Sequence, residues 1–227
     1  MKYIWTEDAG AGLHYWQLVN HYLLGDEYIV ESKQSNQGLL DAVRALDKEV
    51  NNNYYIAFDV IYDNMDIMNK YIDLQVIAGA SNGKIKLIDI TCFEYIILAF
   101  RDLIEWTGTK RKDKIEIRKA VLSAMKGHQI DFDQIYDERT MNYLKGFKRF
   151  STERVMKSLV YELTDQRKWG IKGMYMGECW YKDCCIIQSE QQNCVMESMS
   201  GTEKIERLLH DTETLRLIRV FCKNDEG

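Results

Sequence analysis

The feature that most constrains this chain is a strand-then-helix alternation repeated four times over its first 106 residues. "KYIWTE" (2–7) reads as a strand, Gly10 and Gly12 break it, and "LHYWQLVNHYLL" then carries apolar residues at helical spacing. "EYIVE" (27–31) is a second strand, and "QGLLDAVRALDKEV" (37–50) puts Leu39, Leu40, Val43 and Leu46 on one helical face. "YYIAFDVIY" (54–62) is the third strand, 64–78 the third helix, and "KIKLIDI" (84–90) a fourth strand feeding a long helical stretch over 92–106. Antiparallel strands can be joined by a two-residue turn, whereas parallel neighbours need a crossover of a dozen or so residues, which is the length found here. The pattern therefore predicts an α/β fold: a mainly parallel four-strand sheet with helices on both faces.

Sheets of this kind collect function at the carboxyl ends of their strands, and acids recur there. The first strand ends at Glu7-Asp8, the second at Glu31-Ser32, the third at Asp59 with Asp63 four residues on, and the fourth runs past Asp89 to Glu94. Carboxylates converging from neighbouring strand ends are hard oxygen ligands suited to Mg²⁺ or Mn²⁺, and an ion so held stabilises the charge that develops in phosphoryl transfer. The competing reading is that Asp59 and Asp63 only make a polar turn, since Asp63-Asn64 is ordinary turn chemistry.

Glu at the end of the first strand, Asp at the end of the third, the intervening strand-helix order and the later "CFEYIIL" resemble the Toprim domain. That domain occurs in topoisomerases, primases and overcoming-lysogenisation-defect (OLD) type and related defence-associated nucleases. The resemblance covers roughly residues 1–107 and implies a Mg²⁺- or Mn²⁺-dependent nuclease acting on DNA or RNA, in a phage-defence or mobile-element setting. By that resemblance Glu7, Asp59 and Glu94 are the catalytic and ion-binding carboxylates. Asp8 and Ala11 depart from the family's usual glycine and acid after the first glutamate, and Ile61 stands where a second aspartate is common. Asp63, and Asp66 beyond it, are the nearest substitutes. The alternative is a catalytically inactive Toprim-like binding or regulatory subunit of a protein complex.

Composition narrows the setting. With 46% hydrophobic and 29% charged residues, and no apolar run near the roughly 20 residues of a membrane span, the 227-residue chain reads as a soluble protein with no membrane partner. Acids by position 7 are incompatible with a signal peptide, which points to the cytoplasm. A net charge of −5 excludes a wholly basic nucleic-acid coat, while "KRKDK" (110–114) and "KGFKR" (145–149) are local candidates for phosphate contacts. A protein partner or a homo-oligomer is equally compatible with this balance.

"EDAGAG" lacks both the third glycine of a dinucleotide fingerprint and the Lys-Ser/Thr of a P-loop, so its glycines are read as freeing the turn after Glu7. His14 and His21 share a helical face and read as ordinary, partly buried histidines. After Gly108 the composition shifts, dividing the chain into a Toprim-like α/β domain (1–108) and a mostly helical domain or appendage (109–227). "TGTKRKDK" reads as the linker, with helical segments at 115–125, 140–149, 151–166 and 201–221. Cys179, Cys184, Cys185 and Cys194 crowd together without paired C-x-x-C spacing. Two readings stand for them: reduced thiols packed beside Trp180 and Tyr181, or a Zn²⁺ site.

Overall fold

The computed structural model describes residues 1–7, 9, 11–46, 51–100, 103–147 and 151–163. Four strands, β1 (Lys2–Thr6), β2 (Tyr28–Ser32), β3 (Asn53–Asp59) and β4 (Ile85–Ile90), form one sheet in the order β2-β1-β3-β4. Every pairing is parallel, with Ile4 opposite Val30 and Tyr55, and Ala57 opposite Ile88. Helices α1 (Ala11–Leu23), α2 (Asn36–Arg44) and α3 (Met65–Gly79) make the crossovers between them.

Because side chains alternate across a pleated strand, β1, β3 and β4 each serve two cores, while the edge strand β2 serves one through Tyr28 and Val30. Trp5, Ile56, Phe58 and Ile85 pack under α2 and α3 with Leu39, Leu40, Val43, Tyr71 and Leu74. Ile4, Tyr55, Ala57, Ile88 and Ile90 face the other way, onto Tyr15, Trp16 and Val19 of α1. Helices thus cover both faces, as the alternation predicts. Burying one such aliphatic or aromatic side chain is worth about 1.5–3 kcal/mol, so these two layers, and not helix propensity, hold the crossovers in place.

The second layer continues into the later part of the chain. α4 (Phe93–Ala99), α5 (Leu103–Thr107), α6 (Lys112–Ser123), a short hairpin of β5 (Met125–Lys126) and β6 (Gln129–Ile130), α7 (Glu138–Lys145) and α8 (Thr152–Leu163) follow. Ile117, Val121, Val155, Met156, Leu159, Val160 and Leu163 join the cluster that holds Ile4 and Tyr15. The region after residue 108, as far as it is described, therefore packs onto the sheet as an appendage sharing its core.

Three expected boundaries differ, each for a local reason. The third strand leaves the ladder at Asp59, and Tyr62-Asp63 turn into α3, where the Asn64 side chain accepts the backbone N–H groups of Asp66 and Ile67. The helix expected over 92–106 is divided at Phe100, whose ψ of 118° is not helical. There the buried Arg118 guanidinium donates to the carbonyls of Leu98 and Phe100, both at 2.7 Å, and so satisfies groups that a helix end leaves orphaned. The linker is shorter than its composition suggests, since α6 already begins at Lys112. Cys179, Cys184, Cys185, Cys194 and the segment 201–221 lie outside the described residues. No helix among the described residues is long and apolar enough to cross a membrane.

Candidate functional site

In the order β2-β1-β3-β4 the chain leaves β1 toward one side for β2 and then crosses to the other side for β3. This makes the β1/β3 boundary the topological switch point, where the ends of neighbouring strands open a crevice. Asp59 is the last residue of β3 and pairs with Ile90 of β4. Thr6, the last residue of β1, pairs with Ala57, and Glu7 follows it directly. Glu94 lies in the first turn of α4, which starts three residues after β4 ends. All three acids are part-buried.

Two of them bear on one buried thiol. The fully buried Cys92 thiol is pushed well above its ordinary pKa by burial, with the Glu94 and Asp59 carboxylates, and Glu153 of α8, acting in the same direction. Its sulfur lies 3.9 Å from that of Met156, which brings α8 against the start of α4. α8 also supplies a cation: Lys157 is paired with Glu153 one turn before it. Burial disfavours that ammonium, but the Glu153 hydrogen bond and the Glu94 charge outweigh burial and hold its pKa above the ordinary value.

Asp63 has a different position from the one its spacing suggests. Its Oδ2 accepts the backbone N–H of Thr152 at 2.7 Å, so it caps α8 from 89 residues away in the chain. The Thr152 hydroxyl in turn accepts the N–H of Ile130, at 3.3 Å, and so anchors the β5–β6 hairpin. Asp66 is exposed and paired with Lys70. Asp89 points to the opposite face, where Tyr71 Oη donates to its Oδ2 at 2.5 Å and its other oxygen is buried without a hydrogen-bond partner. The Tyr71 phenol is accordingly pushed up, by burial first and by Asp89 second.

Sequence reading missed His128. The hairpin delivers it to the end of β4, where its Nδ1 is 3.0 Å from the hydroxyl of the buried Thr91 and its ring meets Tyr62 edge-on, centroids 5.4 Å apart. The available signal was "KGH" at 126–128, with glycine at the first central position of a two-residue hairpin. His21, by contrast, pairs with Asp26 at the exposed end of α1. Part of the basic stretch 110–114 serves packing, since Arg111 and Lys114 both reach Glu162 of α8.

Among the described residues no three His, Cys, Asp or Glu side chains are grouped to hold a metal ion together. Mg²⁺ needs fewer, because it is commonly held by one or two carboxylates with water and phosphate oxygens completing its shell. No family model matches the chain, and no curated protein or solved structure matches it either.

Proposed function

We propose that the chain is a Mg²⁺- or Mn²⁺-dependent phosphodiesterase acting on nucleic acid, as its resemblance to Toprim nucleases implies, in a defence or mobile-element system. The observation that carries this reading is the switch point of an all-parallel sheet with Glu7 and Asp59 at adjoining strand ends. Asp59 and Glu94 would hold the ion and Glu7 would extend the acidic edge, while Asp63 keeps α8 in position. A bound divalent ion supplies Lewis-acid stabilisation of a phosphoryl oxygen and a water of lowered pKa. Lys157 is the nearby cation suited to neutralising phosphate charge.

The test is thermal unfolding with and without Mn²⁺. A ligand that binds only the folded state stabilises it by RT ln(1 + [L]/Kd), about 2.7 kcal/mol at a hundredfold excess over Kd. The wild-type protein is expected to gain that stability and Asp59→Asn to lose the gain, since the substitution removes one ionic ligand while preserving turn chemistry. An identical response in both proteins returns Asp59 to the turn reading. One observation favours the second reading, a catalytically inactive binding or regulatory subunit: the Glu153–Lys157 pair brings the edge a cation of its own. Wild-type protein with no metal-dependent gain selects that reading.

A further inference from the structure

Beside the acids is a group of side chains that the phosphodiesterase chemistry does not use. Tyr62, three residues after Asp59, keeps 41% of its surface exposed although it is a large aromatic residue at a turn. The tip of the β5–β6 hairpin, Lys126-Gly127-His128, lies against it. Gly127 has φ of +61°, the left-handed value that a two-residue hairpin with glycine first requires. A Cβ built at Gly127 would sit 3.6 Å from Tyr62 Cε2, so the backbone of the tip runs along the ring. His128 braces the same ring edge-on, and its own orientation is set by Thr91. Lys126 is 80% exposed and only loosely held, 3.8 Å from Asp131.

An exposed aromatic ring packed against the hairpin tip, with the exposed Lys126 on the same hairpin, meets the two demands of single-stranded nucleic acid. Bases stack on a ring irrespective of their identity, and a lysine compensates the neighbouring phosphate. A duplex offers no unstacked base to such a ring. We propose that Tyr62, braced by His128, is a base-stacking step, with Lys126 as its phosphate contact, and that the strand bound at this edge is single-stranded. The proposal rests on the phosphodiesterase reading for the location of the chemistry, not for the binding itself.

Fluorescence anisotropy with a labelled oligothymidylate and with a duplex of equal length tests it, in the presence of chelator so that metal-dependent cleavage cannot consume the probe. The single strand is expected to bind at least about tenfold tighter than the duplex. Tyr62→Ala should weaken single-strand binding about tenfold, and Tyr62→Phe, which keeps the ring and its packing, should restore it. Lys126→Ala should lower the slope of log affinity against log salt by about 1. Wild-type affinity in Tyr62→Ala, or equal affinity for the duplex, overturns the proposal. The Mn²⁺ melts of wild type and Asp59→Asn run alongside. A missing metal response with Tyr62-dependent binding removes the phosphodiesterase reading alone, and a metal response with Tyr62-independent binding removes the stacking step alone.

Discussion

At the amino end of the sheet, β3 and β4 emerge beside a cavity of about 420 Å³ lined largely by apolar side chains, among them Val43, Leu46, Tyr54, Val76 and Ile85. At the carboxyl end the same strands open onto Asp59, Thr91, Glu94 and His128, with a cap, a hairpin and α8 placed over them. The amino end is built from the strand-helix units alone, since its lining lies between Val43 and Ile85. The carboxyl end draws on residues 118–157 as well. The difference has a physical origin: apolar surface needs only coverage, whereas each buried carbonyl, hydroxyl or carboxylate needs a partner with the right geometry. Those partners arrive on the later helices, so the region after residue 108 is part of the candidate site.

If one sheet supports both ends, damage at its centre should remove them together. Ile56 is fully buried midway along β3, and Ile56→Asp is expected to cost at least about 4 kcal/mol by burying an unpaired charge. Denaturant unfolding measures this, and a near-neutral shift would break the premise. A smaller effect should single out the carboxyl side. Arg118→Met removes the guanidinium bonds to the buried carbonyls of Leu98 and Phe100, of which the Phe100 carbonyl still accepts the N–H of Leu103 at 3.2 Å, and a loss of about 2 kcal/mol is expected in the same experiment.

The alkaline limb of stability sharpens the comparison further. The folded-state pKa of Tyr71 lies above its ordinary value of 10.0, so the folded protein keeps a proton that the unfolded chain gives up. The associated stability is fully present below pH 10 and falls as pH rises beyond it, by up to about 1.4 kcal/mol per pH unit. Tyr71→Phe should flatten that slope by one group's share, which unfolding curves above pH 10 will reveal. The smallest effect concerns the cap: Asp63→Ala should cost about 1 kcal/mol, and Asp63→Asn, also a good capping residue, clearly less. Equal losses in the two would mean that the carboxylate does more at this edge than cap α8.

Much of this protein was legible in the sequence because the signals were local. Runs such as "YIAF" and "KLIDI" read as strands since both faces of a parallel sheet are buried, and the helical spacing of Leu39, Leu40 and Val43 gave their face directly. The ends of those runs put Glu7, Asp59 and Glu94 on the carboxyl side of the sheet.

What the sequence by itself determined is the parallel α/β architecture and which end of it carries acids, because periodicity and the length of crossovers are properties of neighbouring residues. Tertiary structure alone decided the rest. It gave Asp63 to the backbone of Thr152, divided the helix at Phe100 with the help of Arg118, and set His128 against Thr91 and Tyr62. Each of these is a hydrogen bond or ring contact between groups distant in sequence. Such contacts leave no period in the chain, and their partners are chosen by packing of the elements around them.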